Sequence, residues 1–124
     1  MYKLKNNILT IKAGARIEPH QFRENLDILQ VHIEGKADIG ESAFGGCRGI
    51  TEVSISAGVR IGWEAFRCCS GITEVSIPKG VTIGVEAFLS CSSITKVSIS
   101  AGVTIDERAF LGCSGITEVS IPKG

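Results

Sequence analysis

The sequence predicts an α/β repeat solenoid, a column of short coils stacked on one another. Three observations lead there. First, Ile39, Ile61, Ile83 and Ile105 recur every 22 residues, and so do Phe44, Phe66, Phe88 and Phe110, Cys47, Cys69, Cys91 and Cys113, and Val53, Val75, Val97 and Val119. A fixed period of this length marks one small supersecondary unit stacked on copies of itself. Second, each unit contains a stretch such as Glu74-Val75-Ser76-Ile77, in which β-branched and polar residues alternate. That is the pattern of a strand with one buried face. Third, the apolar skeleton continues backwards, through Ile17, Phe22, Ile28, Val31 and Ile33 to Leu9, Ile11 and Gly14. All 124 residues therefore read as one domain.

Residues 1–14 read as an N-terminal cap. Tyr2-Lys3-Leu4-Lys5 and Ile8-Leu9-Thr10-Ile11 alternate and are joined by Asn6-Asn7, the composition of a β-hairpin. Such a hairpin covers the open edge of the first coil. Repeats then begin near residues 15, 37, 59, 81 and 103.

Residues 71–92 show the unit. Val75 and Ile77 lie in the main strand, and Pro78-Lys79-Gly80 turn the chain. Val81 and Ile83 alternate around Thr82 as a second, very short extended piece. Val85-Glu86-Ala87-Phe88-Leu89 has the composition of one or two helical turns. Glu18-Pro19-His20-Gln21-Phe22 places its proline where a first helical turn tolerates it. The alternation of Ser56 and Ser100 with Pro78 and Pro122 suggests a doubled unit of 44 residues. No divergent repeat follows the last strand, so the C-terminal coil reads as uncapped, which solenoids normally avoid.

The L-x-x-L-x-L pattern of Ile72, Val75 and Ile77 resembles a leucine-rich repeat. The phrase I-G-x-x-A-F-x-x-C-x-x-I-x-x-V-x-I-P runs from Ile61 to Pro78 and recurs, ending in serine, from Ile83. It is similar to the BspA-like subclass, found in surface-associated proteins of bacteria and some protists. The chain departs from that subclass in having a single residue between Val59 and Ile61, and again between Val81 and Ile83. The resemblance implies a right-handed superhelix with a parallel sheet on its concave face and short extended and helical or 3-10 segments on the convex side.

Thirteen acidic and thirteen basic residues leave no net charge. Nucleic acid is therefore not the expected partner, because phosphate binding needs a basic excess. No apolar run approaches the ~20 residues of a membrane-spanning helix, so membrane insertion is not expected. The opening MYKLKNNILTIK lacks the apolar core of a signal peptide. The expected compartment is the cytoplasm for the chain as given, or the cell surface or exterior if it is part of a longer BspA-like protein.

Five cysteines raise the question of disulfides or zinc. Cys47, Cys69, Cys91 and Cys113 hold equivalent places in successive coils, beside the phenylalanines. That spacing favours small apolar side chains filling a core. No C-x-x-C or histidine set is present for zinc. Cys68 lies outside this ladder and is expected to face outward as the reactive thiol.

The resemblance places the outward residues of the main strands on the concave binding face. One row is Gln30, Glu52, Glu74, Lys96 and Glu118, and a second includes His32, Ser54, Ser76, Ser98 and Ser120. A third is Glu34, Ser56, Pro78, Ser100 and Pro122. His32 reads as a surface residue, since no nucleophile and carboxylate surround it as a triad requires. Trp63 is the candidate exposed aromatic on the convex side. No catalytic, cofactor-binding or metal-ligating set is expected.

The expected function is thus a non-enzymatic protein-interaction module, meeting a protein or a cell-surface component. The alternatives are a self-assembling repeat protein, joined end to end through Val119, Ile121 and Pro122, and a fragment of a longer surface adhesin.

Overall fold

The period-two segments form strands where the alternation places them. The computed structural model describes residues 1–106 and 108–121. In chain order the strands are β1 (Tyr2–Lys5), β2 (Ile8–Ile11), β3 (Arg16–Ile17), β4 (Gln30–Ile33), β5 (Asp38–Ile39) and β6 (Glu52–Ile55). They continue with β7 (Arg60–Ile61), β8 (Glu74–Ile77), β9 (Thr82–Ile83), β10 (Lys96–Ile99), β11 (Thr104–Ile105) and β12 (Glu118–Ser120). β2, β4, β6, β8, β10 and β12, of three or four residues, are the main strands; β1 is the outer strand of the hairpin, and the two-residue strands are the short extended pieces.

Each repeat places one main strand and one short strand above those of the repeat before. The short strands make one continuous parallel sheet, β3-β5-β7-β9-β11. The main strands are also parallel and in strict register, but their sheet is in two parts. One part is β1-β2-β4-β6 and the other is β8-β10-β12.

The hairpin is present. β1 pairs antiparallel with β2, and β2 pairs in parallel with β4. Its turn requires positive φ at both central residues, and Asn6 (53°) and Asn7 (67°) supply it. Asparagine is among the few side chains that enter this region readily. The turn is also tied to the next coil, through Asn7 Nδ2 to the Asp27 carbonyl at 2.8 Å and the Leu29 N–H to the Asn7 carbonyl at 2.9 Å.

The interior is a set of columns. Phe22, Phe44, Phe66, Phe88 and Phe110 stack with centroids 5.1–5.5 Å apart and planes within 10°. Tyr2 of the hairpin closes the stack edge-on against Phe22 at 5.2 Å. The spacing is close to the ~4.8 Å separation of paired strands, so the backbone ladder sets the ring spacing. The isoleucine and valine columns are buried alongside, and among the described residues no polar or charged side chain is buried.

The expected helical segments do not form: no helix occurs among the described residues. Val85–Leu89 and the residues around Pro19 are successive turns, and hydrogen bonding explains why. An α-helix keeps every amide bond within its own segment. Here the amides alternate. Ala43, Gly45 and Cys47 donate three residues back, while Ser42, Phe44 and Gly46 donate to Trp63, Ala65 and Arg67 in the next coil. The alternation needs a left-handed residue at every fourth place. These are His20 and Glu24, Ser42 and Gly46, Glu64 and Cys68, Glu86 and Ser90, and Arg108 and Gly112, with φ between 52° and 78°. The turns therefore form a third inter-coil ladder, which a helix could not provide.

Gly40, Gly62 and Gly84, which follow β5, β7 and β9, have a steric role. A Cβ at Gly62 would stand 2.5 Å from the Ile39 carbonyl oxygen of the coil below. Close approach of the coils leaves no room for a side chain at Gly62.

A candidate binding face on the main strands

Parallel register brings the outward residues of the main strands into rows. Gln30 lies opposite Glu52 and His32 opposite Ser54. Glu74 lies opposite Lys96 and Ser76 opposite Ser98. Lys96 and Ser98 lie in turn opposite Glu118 and Ser120. The sequence rows are thus assembled on one surface, except that the step from β6 to β8 is unpaired. Pro122 lies outside the described residues.

Glu52, Ser54, Glu74, Ser76, Glu118 and Ser120 are exposed, whereas Gln30, His32, Lys96 and Ser98 are half-buried. Gln30 Oε1 and His32 Nε2 are 3.3 Å apart, and Lys96 Nζ stands 3.5 Å from the Glu118 carboxylate. Among the described residues Glu52 and Glu74 have no cationic partner. A rigid sheet carrying exposed hydroxyls and carboxylates offers contact area and hydrogen bonds. It offers no nucleophile held against a base. Among the described residues no group of three His, Cys, Asp or Glu is placed to hold a metal ion.

The thiol ladder is part of the interior. Cys47, Cys69, Cys91 and Cys113 donate through Sγ to the carbonyls of Phe22, Phe44, Phe66 and Phe88 in the coil below, at 3.0–3.1 Å. All five cysteines are free thiols. Burial raises the pKa of all four, that of Cys91 to about 12. Asn25 takes the cysteine's place in the first coil, and its Oδ1 accepts the Asp27 and Ile28 amides instead. Cys68 is half-buried on the turn side, beside Arg67.

Two grooves escaped the sequence reading. One, of about 380 Å³, crosses the turn side over Gly45 and Gly46, between Arg23 and Arg67. Its signal was the glycine pair, which removes two side chains from one coil only. The other, of about 570 Å³, lies between β6 and β8 and is lined by Glu52, Val53, Ile55 and Glu74. Its signal was two glutamates in step followed by Pro78. Trp63 is exposed on the turn side. At the last coil Val119 (51%) and Ile121 (71%) are exposed.

Comparison with known proteins follows the same lines. The family described as BspA type leucine rich repeat region matches residues 15–124, in six copies. The fold is similar to the crystal structure of a leucine rich cell surface protein from Faecalibacterium prausnitzii A2-165, with a TM-score of 0.84 and 25% identity. That likeness covers 98% of this chain and 33% of the other, so the chain spans about a third of that protein's length. A leucine rich repeat protein of T. pallidum shares the fold at 17% identity and a TM-score of 0.56, over 97% of this chain and 78% of that one. No curated protein matches the chain.

Proposed function

The chain belongs to the BspA-type leucine-rich repeat family, and from that premise we propose that it is a non-enzymatic protein-interaction module. Its binding face is the outward surface of the main strands: Gln30, His32, Glu52, Ser54, Glu74, Ser76, Lys96, Ser98, Glu118 and Ser120. The family resemblance places this face on the concave side of the solenoid. Its partner is a protein or a cell-surface component. The observation that carries the reading is the in-register sheet, which fixes these side chains in flat rows without ordering cost on binding. Likeness to a leucine rich cell surface protein supports it.

The test compares two variants of the full chain for capture of solubilised cell-surface protein from its source. One carries His32→Arg, Ser98→Arg and Ser120→Arg on the main face. The other carries Thr82→Arg and Thr104→Arg on the short-strand sheet. Loss of capture with the first and retention with the second is the expected result. Equal capture by both would overturn the reading.

A second reading has its own support. Exposure of Val119 and Ile121, with Leu111 and Ile105 beside them in the last coil, favours self-association end to end. Sedimentation at several concentrations separates the two. A dimer that dissociates on Val119→Lys favours assembly, and a monomer at all concentrations rejects it. The limited share of the surface protein that the chain spans supports a third placement, as the repeat region of a longer surface adhesin.

A further inference from the structure

The N-terminal hairpin carries charge of one sign. Lys3, Lys5, Lys12 and Arg16 all precede the first acidic residue, Glu18. The whole chain balances thirteen acidic against thirteen basic residues, so this excess is local. Arg16 pairs with Glu18 at 3.0 Å, whereas among the described residues Lys3, Lys5 and Lys12 have no carboxylate within ion-pair distance. The same hairpin ends the main sheet. β2 takes β4 on one side and β1 on the other, and no strand lies beyond β1 among the described residues. The Lys12 N–H donates to the Met1 carbonyl at 2.8 Å. Bonded pairs alternate along an antiparallel ladder, so Lys3 with Thr10 and Lys5 with Ile8 are the next two. Tyr2 and Leu4 therefore turn their N–H and carbonyl groups away from β2, toward the open side.

Side chains follow the same alternation. Tyr2 and Leu4 stand opposite Ile11 and Leu9 and share their inward face, while Lys3 stands opposite Thr10 on the outward face. Leu9 and Ile11 are fully buried, yet Tyr2 is 43% and Leu4 47% exposed. A second copy of this edge is a poor occupant. Antiparallel pairing of β1 with β1, with Leu4 opposite Tyr2 or opposite Leu4, sets lysine against lysine. Like charges directly opposite destabilise a pair. Lysines on an edge strand guard it against that outcome. They leave it open to a strand of opposite charge.

We propose that the free edge of β1 docks an extended acidic segment of a partner protein, added antiparallel as one more strand. Such docking names the partner chemistry of the interaction module and rests on that reading. A segment of alternating acidic and apolar residues suits both faces. Its acidic side chains fall beside Lys3 and Lys5 and make charge-assisted contacts. Its apolar side chains cover Tyr2 and Leu4, and its backbone takes up the main-chain groups that β2 leaves free. Lys3 continues the outward row of Thr10, His32 and Ser54, so the docked segment extends the proposed binding face.

The probe is the peptide fluorescein-Ser-Glu-Val-Glu-Val-Glu-Ser-amide, with a lysine-for-glutamate twin as control. Binding to the full chain is read by anisotropy at low and at moderate salt. The glutamate peptide is expected to bind in a salt-sensitive way and the lysine peptide not at all. Combined Lys3→Gln and Lys5→Gln should weaken binding by at least about tenfold, whereas Lys79→Gln, exposed at the corner of another coil, should leave it unchanged. A third peptide separates strand addition from charge alone. N-methylation of both valines keeps every charge and removes the N–H groups that meet the Tyr2 and Leu4 carbonyls, so it should abolish binding. Equal binding of the N-methylated and parent peptides would overturn the proposal, and so would equal binding of the two charge twins. Failure of the glutamate peptide to bind, with capture still lost in the main-face arginine variant, would overturn this docking and leave the broader reading standing. Peptide binding with capture retained in that variant would do the reverse.

Discussion

Phe66 lies between Phe44 at 5.1 Å and Phe88 at 5.3 Å, fully buried, and has no room to collapse into. Phe66→Ala is expected to lower stability by about 3–5 kcal/mol in denaturant unfolding. Phe22→Ala should cost less, because Phe22 is only half-buried beneath Tyr2. Equal losses would show that the two rings share one environment, against the column. The thiols make a second test at this scale. Each buried thiol holds its proton more tightly in the folded chain than in the unfolded chain. Above the ordinary pKa of 9.0 the folded state thus carries more protons. Stability is full below about pH 9 and falls as pH rises through the folded values, about 12 for Cys91. Unfolding midpoints measured from pH 7 upward should show the fall. At pH 8 iodoacetamide should label Cys68 in the folded chain and the four ladder thiols only on opening. Fast labelling of Cys91 would contradict its place in the column.

At the scale of the element, strands were legible and turns were not. Val75 and Ile77 announce a strand because burial of one face imposes a period of two. Val85–Leu89 misled because its residue types suit a helix, whereas the neighbouring coil takes every second amide for its own ladder. Non-local bonding of that kind leaves little mark on a single repeat. A trace survives in Gly46 and Gly112, which share a left-handed place with Cys68 and Ser90. The corner after each main strand carries the same information more openly: Gly14, Gly58, Gly80 and Gly102 have φ between 72° and 78°. Lys36 fills that place in the first repeat with φ 60°. Lys36→Gly is therefore expected to raise stability by about 1 kcal/mol, and Gly58→Ala to lower it by at least as much. Denaturant midpoints check both, and a loss on Lys36→Gly would show that its side chain contributes more than its backbone strain removes. The rows of the proposed binding face were legible, because equal spacing puts Ser54, Ser76, Ser98 and Ser120 in step. The unpaired step between β6 and β8 was not, because it depends on Glu52, Glu74 and Pro78 acting together across two coils.

At the scale of the molecule, the period decides almost everything. A coil of this kind offers too little core to stand alone and gains its burial from the coils above and below. The rows of the proposed binding face then follow from stacking in one register, which puts residues one period apart side by side. Register can be read directly by engineered disulfides in a Cys68→Ser background. Ser76 and Ser98 are strand partners, one coil apart, and paired strands hold Cα atoms within the ~4.4–6.8 Å that a disulfide spans. Ser54 and Ser98 are two coils apart. Mild oxidation of Ser76→Cys with Ser98→Cys should close a bond without loss of fold, and Ser54→Cys with Ser98→Cys should stay reduced. A bond in the second pair and none in the first would contradict the stacked column.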